Sequence, residues 1–467
     1  MSNRAILTGW LYLPLSALGS QGEIDTLKVY LTHYPRFMEP GDLPILLYTE
    51  NRHGYLGVPR EWGMMRYPDI EIDNQTTLGS SIIVPRRPNP NHPRVLDPIA
   101  QAEFIRNVRG GFDKYLSYTA MASTGSGKTV VALDTAAHLG RRTLILVHLN
   151  RLAKQWIEEI QDKLGVDRSR IGLIQQDKCE WEDKDFCVGI LHSVAQRDYG
   201  QDFYNAFGFL IVDECHKIGS QFFAPAITKF PARNKLLLSA TPTRKDGGDK
   251  VIFFHGGPIR VISNARALPL TVYVVDHTTT QPLSGKMKGS RVKCLTKDQS
   301  RNRLILTIIQ RFYNGGRNTL IVSASISHLQ YLMAEAVKQG IPQSVIGQYT
   351  AEVHDTVRGE DGKLRIVKRK QNDAVLDNIK ATAQLIFATY GMVKEGIDIP
   401  RLDAGIDVTP ESDATQLIGR VRRPMPGKRM PIWITIRDVS CAMSLRWFAN
   451  RCRDYRATHA EVVRHGT

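Results

Sequence analysis

The sequence predicts an α/β fold with two tandem parallel-sheet domains, preceded by a small β-rich module. From Ala100 onward, apolar strand-like segments alternate with longer amphipathic stretches, as in a parallel sheet that is covered by helices. This alternation breaks at residues 262–270 and then resumes, so it forms two halves of similar length. Residues 1–84 instead contain short apolar and aromatic stretches separated by Gly, Pro and Asn, which is typical of a β-rich module.

We therefore expect three domains, at residues 1–90, 91–265 and 266–467. The proline-rich segment 84–94 favours an extended linker between the first two, because proline suits neither a helix interior nor a central strand. The clearest strands are predicted at 143–149, 207–214, 235–241, 318–325 and 383–389.

Composition and charge limit the classes of function. The chain has 467 residues, of which 42% are hydrophobic and 23% charged, values that exclude a mainly disordered or collagen-like chain. Its formal net charge of +16 favours polyanionic partners. No apolar run approaches the ~20 residues of a membrane-spanning helix, and six scattered cysteines lack the spacing of a zinc site. We expect reduced cysteines, no membrane partner and a cytoplasmic location.

The strongest motif is the segment Ala122–Thr129, ASTGSGKT, between an apparent strand and a helical stretch. Its glycines let backbone N–H groups surround phosphate oxygens, and the following helix directs its positive end toward them. Lys128 would reach the β- and γ-phosphates, and Thr129 would hold Mg²⁺. A chance glycine-rich turn is the alternative, which the strand and helix context disfavours. The predicted phosphate-binding residues are Thr124, Gly125, Ser126, Gly127, Lys128 and Thr129.

Two acids follow a predicted apolar strand in the same half of the chain. Asp213 and Glu214 lie at its carboxyl end, the edge at which open α/β sheets bind ligands. Asp213 would hold Mg²⁺ through water, and Glu214 would orient or deprotonate the water that attacks the γ-phosphate. A solvated turn is the default for an isolated acid pair, but the phosphate motif 85 residues earlier favours the catalytic interpretation.

Three further segments complete the pattern. Ser239, Ala240 and Thr241 end another strand, where the hydroxyl groups would sense the Asp213–Glu214 loop; a capped turn is the alternative. In the second half, residues 388–398 lead from a strand into a glycine-containing loop. Residues 416–423, QLIGRVRR, would place Arg420 and Arg423 near one face of a helix by their i,i+3 spacing. There they would stabilise charge on a transferring phosphate, although such a helix is more often a solvated face.

Together these motifs resemble the core of a superfamily 2 helicase of the DExH kind, over roughly residues 95–440. The string LLLSATPTRKDG resembles in particular the phage recombination or branch-migration helicases and the nucleotide-excision-repair helicase branch. The resemblance implies two RecA-like domains that use ATP and Mg²⁺. It further implies a nucleotide-binding role for Gly396 and Asp398, a catalytic role for Gln416, and coupling of hydrolysis to nucleic acid through His216 with Ser239–Thr241.

The same resemblance indicates where nucleic acid would lie. The segment 146–156, LVHLNRLAKQW, resembles the first strand-contacting motif of the family. A turn signal at 359–362 within TVRGEDGKLRIVKRK predicts a basic hairpin, which would separate strands or merely be a soluble surface loop. The predicted nucleic-acid-binding residues are Arg151, Gln155, Thr389, Lys363, Arg365, Lys368 and Arg369.

The function predicted from these features is an ATP-dependent DNA helicase or translocase that remodels forks, Holliday junctions or R-loops in replication, recombination or repair. It would act as a monomer on single-stranded or branched DNA, and RNA is a further candidate partner. The alternatives are an RNA helicase or the translocating subunit of a restriction system. A non-catalytic nucleic-acid-binding clamp is disfavoured because Lys128, Glu214, Arg420 and Arg423 are all present.

Overall fold

The computed structural model divides the chain into two compact units, Met1–Arg266 and Ala267–Thr467. The residues that the structure describes are 4–36, 41, 43–51, 54–89, 97–123, 126–220, 222–244, 246–264, 267–279, 288–358, 364–394, 399–411 and 414–464.

The first unit begins with a small, mainly antiparallel sheet. Its strand order is β5-β6-β2-β1-β7. Among the described strands of this small sheet, only β1 and β7 pair in parallel. The elements of this N-terminal module are β1 Ala5–Leu7, β2 Trp10–Pro14, α1 Gln21–Tyr30, β3 Thr32–His33, β4 Ile45–Leu46, β5 Thr49–Asn51, β6 Tyr55–Pro59, α2 Arg60–Arg66 and β7 Ile72–Asn74.

A larger, mainly parallel sheet follows in the same unit. Its order within the described residues is β11-β10-β12-β9-β13-β14-β8-β15. Its central strands are buried on both faces and are therefore continuously apolar. The elements are α3 Pro98–Gly111, β8 Ser117–Met121, α4 Lys128–Leu139, β9 Thr143–Val147, α5 Asn150–Leu164, β10 Ile171–Gln175, β11 Lys178–Cys179, β12 Phe186–Ile190, α6 Leu191–Gln196, α7 Gln201–Asn205, β13 Phe209–Val212, α8 Pro225–Thr228, β14 Asn234–Ser239, α9 Asp249–Gly256 and β15 Ile259–Ile262.

The N-terminal module packs directly against the α/β part of the first unit. Arg60, which is fully buried, donates hydrogen bonds to the carbonyl oxygens of Ala232 at 2.8 Å and Arg233 at 2.9 Å. The apolar core of the module also includes Ala224 and Val251 from the α/β part. The module is therefore packed against the larger sheet as part of one compact unit.

The second unit contains a parallel sheet with the order β18-β21-β17-β22-β23-β16-β24, counted over the described residues, and a separate antiparallel pair. The elements are β16 Thr271–His277, α10 Lys288–Lys297, α11 Gln299–Asn314, β17 Thr319–Ser323, α12 Ile326–Lys338, β18 Ile346–Tyr349, β19 Glu352–Arg358, β20 Leu364–Lys370, α13 Asp373–Thr382, β21 Leu385–Thr389, α14 Tyr390–Lys394, β22 Ala404–Asp407, α15 Thr415–Val421, β23 Ile432–Asp438, α16 Ala442–Ala457 and β24 Glu461–Arg464.

These sheets confirm the predicted fold class, an α/β chain with two parallel-sheet domains and a β-rich N-terminal module. The five clearest predicted strands are present as β9, β13, β14, β17 and β21. The functional division into three domains stays a prediction. No helix within the described ranges is both long and apolar enough to span a bilayer.

Candidate functional site

Three neighbouring strands of the first unit end at the same edge of the sheet. β13, β14 and β8 are adjacent and parallel, so the segments that follow them meet at their carboxyl ends. Those segments carry the predicted phosphate loop, the Asp213–Glu214 pair and the Ser239–Thr241 turn. The sheet order thus brings together three motifs that are spread over residues 122–241 of the chain.

The phosphate loop is shaped by a glycine at the start of α4. Gly127 has a φ of +83° and caps the helix that begins at Lys128. A Cβ atom at position 127 would lie 2.2 Å from Nε2 of Gln101, so a side chain would clash as well as strain the backbone. Ser126 closes the turn by donating to the carbonyl oxygen of Ser123 at 2.7 Å. Thr124 and Gly125 lie outside the described residues.

The two acids and the lysine form one charged cluster. Lys128 Nζ lies 3.4 Å from Glu214 Oε1. Glu214 adopts the left-handed conformation, with φ of 48° and ψ of 53°, which is unusual for a residue other than glycine. Its backbone N–H donates to Asp213 Oδ1 at 2.9 Å. This turn places both carboxylates at the sheet edge beside the start of α4.

Asp213 is held from its other side by a tryptophan. Nε1 of Trp156, which is 3% exposed, donates to Asp213 Oδ2 at 3.0 Å. Trp156 lies on α5, which follows the strand β9, and β9 is the neighbour of β13. Both oxygens of the Asp213 carboxylate therefore accept a hydrogen bond, and the carboxylate has a fixed orientation.

Burial and charge change the pKa values of the two acids in opposite directions. Burial, reinforced by the charge of Glu214, raises the pKa of Asp213. Burial also opposes ionisation of Glu214, but Lys128 and His216 outweigh it and hold the pKa of Glu214 well below its usual range. Glu214 is therefore the carboxylate that is firmly ionised at neutral pH.

His216 connects Glu214 to the strand β14. Its Nδ1 lies 3.3 Å from Glu214 Oε2 and 3.2 Å from Ser239 Oγ. Ser239 Oγ in turn accepts a hydrogen bond from the backbone N–H of Thr241 at 3.1 Å. The predicted coupling residues His216, Ser239 and Thr241 thus form a continuous polar path, and Ala240 lies within the same turn.

The residues of this edge fit a magnesium nucleotide. A glycine-shaped loop, a helix N-terminus and a lysine suit phosphate oxygens. The Thr129 hydroxyl and the Asp213 carboxylate are hard oxygen ligands, which Mg²⁺ prefers. No cluster of three or more His, Cys, Asp or Glu residues that suits a metal ion was found within the described part of the chain.

The predicted strand-contacting residues lie at the start of α5. Arg151 and Gln155 are half-buried and Lys154 is exposed. His148 lies just before this helix, and burial, with the charge of Lys217, lowers its pKa to about 4. α5 therefore carries both the predicted nucleic-acid contacts and Trp156.

The second unit bears out only part of the predicted arginine geometry. Arg420 lies in α15 and donates to the carbonyl oxygens of Val393 and Lys394, each at 3.1 Å. The helix ends at Val421, with Arg422 as its C-cap. The prediction that Arg420 and Arg423 share a helix face is wrong, because Arg423 precedes Pro424 and proline disfavours a helical residue before it. Burial lowers the pKa of Arg423 to about 10, so its guanidinium stays charged.

Other predicted residues of the second unit are described only in part. Gln416 is half-exposed on α15, and Thr389 is the last residue of β21. The predicted hairpin is present as the antiparallel pair β19 and β20, with Lys368 and Arg369 on β20. Gly396, Asp398 and Lys363 lie outside the described residues, and the side chain of Arg365 lies outside the described side chains.

Sequence reasoning missed two residues of the first-unit site. Trp156 belongs to a segment that was interpreted only as a nucleic-acid contact, and its signal is its place among the apolar positions 153, 156, 157 and 160 of α5. Gln101 has no function that the sequence assigns; its amide lies against Gly127. Both positions depend on tertiary packing, so no short motif marks them.

Comparisons with known proteins find a matching family model and related viral and phage proteins. Residues 98–244 match the family model "Type III restriction enzyme, res subunit". The chain is 27% identical over 437 residues to "Putative ATP-dependent RNA helicase L396" of Acanthamoeba polyphaga mimivirus, covering 90% of this chain and 77% of that protein. It is 26% identical over 338 residues to "Probable helicase D10" of Escherichia phage T5, covering 71% of this chain and 70% of that protein.

Among solved structures, T4 UvsW aligns over 99% of each chain, with a TM-score of 0.38 and 16% sequence identity. The family match and the viral and phage relatives support a superfamily 2 helicase.

Proposed function

We propose that this chain is an ATP-driven DNA helicase or translocase of the DExH kind that remodels branched DNA in replication, recombination or repair. The observation that carries the proposal is the cluster of Lys128, Glu214 and Asp213 at the carboxyl edge of the first-unit sheet. The polar path from Glu214 through His216 to Ser239 supports coupling of hydrolysis to nucleic acid.

The chain's own groups suggest how hydrolysis proceeds. Lys128 would leave Glu214 for the phosphate oxygens when nucleotide binds, because the phosphates carry the larger negative charge. Glu214 would then lose one of the two partners that hold its pKa low, keep His216, and become a better acceptor for a proton of the attacking water. Bound Mg²⁺ would supply charge neutralisation at the phosphates. Asp213, fixed by Trp156, would orient its water shell.

The predicted nucleic-acid contacts give a route for stimulation. Arg151 and Gln155 lie on α5, and Trp156 of the same helix donates to Asp213. A shift of α5 upon strand binding would therefore alter the orientation of Asp213. Arg420 and Arg423 are proposed to stabilise the transferring phosphate, and Gln416 to act beside them.

Branched DNA is favoured by the resemblance of LLLSATPTRKDG to phage recombination helicases. An RNA helicase is the second candidate, because the mimivirus relative is named a putative ATP-dependent RNA helicase. A restriction-system translocase is a third, supported by the description of the matching family model.

An ATPase assay on matched substrates separates these candidates. Hydrolysis is measured with single-stranded DNA, duplex, fork, four-way junction, R-loop and RNA at one salt concentration, followed by unwinding of the best activator. We expect branched DNA to stimulate most, with Lys128→Ala as the inactive control. Stronger stimulation of hydrolysis by RNA than by DNA would show that RNA is the substrate. If none of these nucleic acids stimulated hydrolysis, the remaining interpretation would be a non-catalytic binding clamp.

A further inference from the structure

The antiparallel pair of the second unit is a ribbon that takes no part in the described apolar cores. β19 and β20 pair in regular register over seven positions, from Glu352 with Lys370 to Arg358 with Leu364. None of the described hydrophobic clusters contains one of its side chains. Packing of a core therefore does not explain why the chain forms this element.

The base of the ribbon is nevertheless fixed to the unit. Gln371 accepts a hydrogen bond from the backbone N–H of Thr350 at 3.1 Å and donates to the carbonyl oxygen of Gln348 at 3.0 Å. Gln330 of α12 donates to the carbonyl oxygen of His354 at 2.9 Å. A two-stranded hairpin is marginal alone in water, so these bonds hold it in place at one end.

The exposed side chains of the ribbon are cationic and apolar. Ile366 is 67% and Val367 48% exposed, and Lys368 and Arg369 are exposed as well. The two strands hold five cations, Arg358, Arg365, Lys368, Arg369 and Lys370, against the two acids Glu352 and Asp355. Their net charge is thus 5 − 2 = +3, and the connecting sequence 359–363, GEDGK, contributes −1.

The two acids do not neutralise the ribbon. Lys368 lies 3.2 Å from Glu352, and Arg369 lies 3.4 Å from Asp355. Exposed ion pairs of this kind contribute ~0–1 kcal/mol, so both cations can exchange these partners for phosphates at little cost.

The register places cations on both faces. Lys368 and Lys370 share one face, and Arg369 lies on the other, because side chains alternate along a strand. Seven residues span roughly 20 Å at the usual rise of a strand. A two-stranded ribbon fits the major groove of B-form DNA, whose two walls carry phosphates, whereas the A-form major groove of RNA is too narrow for side chains.

We propose that the ribbon β19–β20 is a duplex-DNA contact that inserts into the major groove, with Lys368, Arg369 and Lys370 at the phosphates of its two walls. This deepens the proposed function by naming the element that engages the double-stranded part of a branched substrate. Because phosphate contacts carry no sequence information, the contact is independent of base sequence.

The test compares two triple variants in binding assays without ATP. Lys368→Gln, Arg369→Gln and Lys370→Gln remove the three ribbon cations proposed to contact phosphates, without placing like charges opposite Glu352. The matched control is Arg303→Gln, Arg311→Gln and Lys338→Gln, three exposed cations on α11 and α12 of the same unit. Anisotropy is measured for a DNA duplex, an RNA duplex and single-stranded DNA over a range of salt concentrations.

We expect the ribbon variant alone to lose about tenfold or more in affinity for duplex DNA, with a salt slope lower by about 2 to 3. Its affinity for single-stranded DNA and RNA duplex should match that of the control. Equal loss in both variants, equal loss on all three ligands or a greater loss on RNA would each overturn the proposal. Since no hydrolysis is measured, failure of the proposed ATPase is recognised separately, in the wild-type substrate panel.

Discussion

At the level of single residues, the orientation of Asp213 depends on a neighbour outside the motifs. The indole of Trp156 donates to a buried carboxylate, and hydrogen bonds to charged groups contribute about 1.5–3 kcal/mol. A carboxylate that loses such a partner can rotate away from the position in which it would hold the water shell of Mg²⁺. Trp156 is therefore a positioning residue.

Trp156→Phe keeps the ring in the core but removes the donor. We expect nucleic-acid-stimulated hydrolysis to fall about 10- to 100-fold, as for other partners of metal-site ligands. The ability of Mg²⁺ to tighten nucleotide binding should weaken as well, as measured with a fluorescent ATP analogue with and without the metal.

The matched control is Trp433→Phe, which removes a bond of the same kind from Trp433 Nε1 to Asp407 Oδ1 at 3.2 Å in the second unit. This variant should lose stability but keep the effect of Mg²⁺ on nucleotide binding. If both variants changed the effect of Mg²⁺ equally, the role of Trp156 would be structural only.

Arg420 and Arg423 are the two arginines proposed to act at the phosphate. Arg420 binds main-chain oxygens of the segment after β21, so its loss would disturb local structure too. Arg423→Ala tests the second of these arginines. We expect it to bind ATP normally and lose most hydrolysis, because it removes charge at the proposed transition state; an unchanged turnover rate would remove Arg423 from the site.

At the level of elements, the N-terminal module is joined to the α/β part of its unit through Arg60, which donates to main-chain oxygens of Ala232 and Arg233 and also forms a buried ion pair within the module. Arg60 Nε lies 3.1 Å from Glu61 Oε1, and both residues are buried. Arg60→Met should destabilise the first unit by about 3–5 kcal/mol in urea unfolding, because it leaves Glu61 buried without its partner.

Replacing Arg60 and Glu61 together by Met is the matched test of this ion pair. The double variant should recover much of the lost stability, since a buried pair exchanged for apolar residues is often neutral. Equal destabilisation in the single and double variants would show that the bonds of Arg60 to Ala232 and Arg233 matter more than the pair.

Some of these elements could be predicted from the sequence alone, and others could not. The strands β9, β13, β14, β17 and β21 follow from continuous apolar runs, and the hairpin follows from its turn signal, because both signals are local. Pro424 is a local signal for the end of α15, whereas the i,i+3 spacing of the arginines carries no information on where the helix ends. Trp156 and Gln101 could not be assigned, because their partners are set by the strand order and by packing between distant segments.

At the level of the whole molecule, buried neutral histidines make stability depend on pH. Burial, with the charge of Lys235, lowers the pKa of His255 to about 3. Burial, with the charge of Arg301, does the same for His328, also to about 3. These residues lie in different units, so each unit should become less stable in acid.

The direction of this pH dependence follows from proton uptake on unfolding. An unfolded histidine binds a proton near pH 6.5 and the folded one does not, so stability is complete above about pH 6.5 and falls toward pH 3. At pH 5 each buried histidine should reduce stability by about 2 kcal/mol. His255→Phe should weaken the pH dependence of the first unit in urea unfolding at pH 5 and 7; an unchanged dependence would exclude His255 as a cause.

The central claim is that Lys128 and Glu214 form a centre that hydrolyses ATP in response to nucleic acid. The most direct measurement is the steady-state rate of ATP hydrolysis, with and without single-stranded DNA, for the wild type, Lys128→Ala and Glu214→Gln. We expect a stimulated wild type and two variants that remain folded but nearly inactive. Hydrolysis at wild-type rates in either variant would contradict this claim.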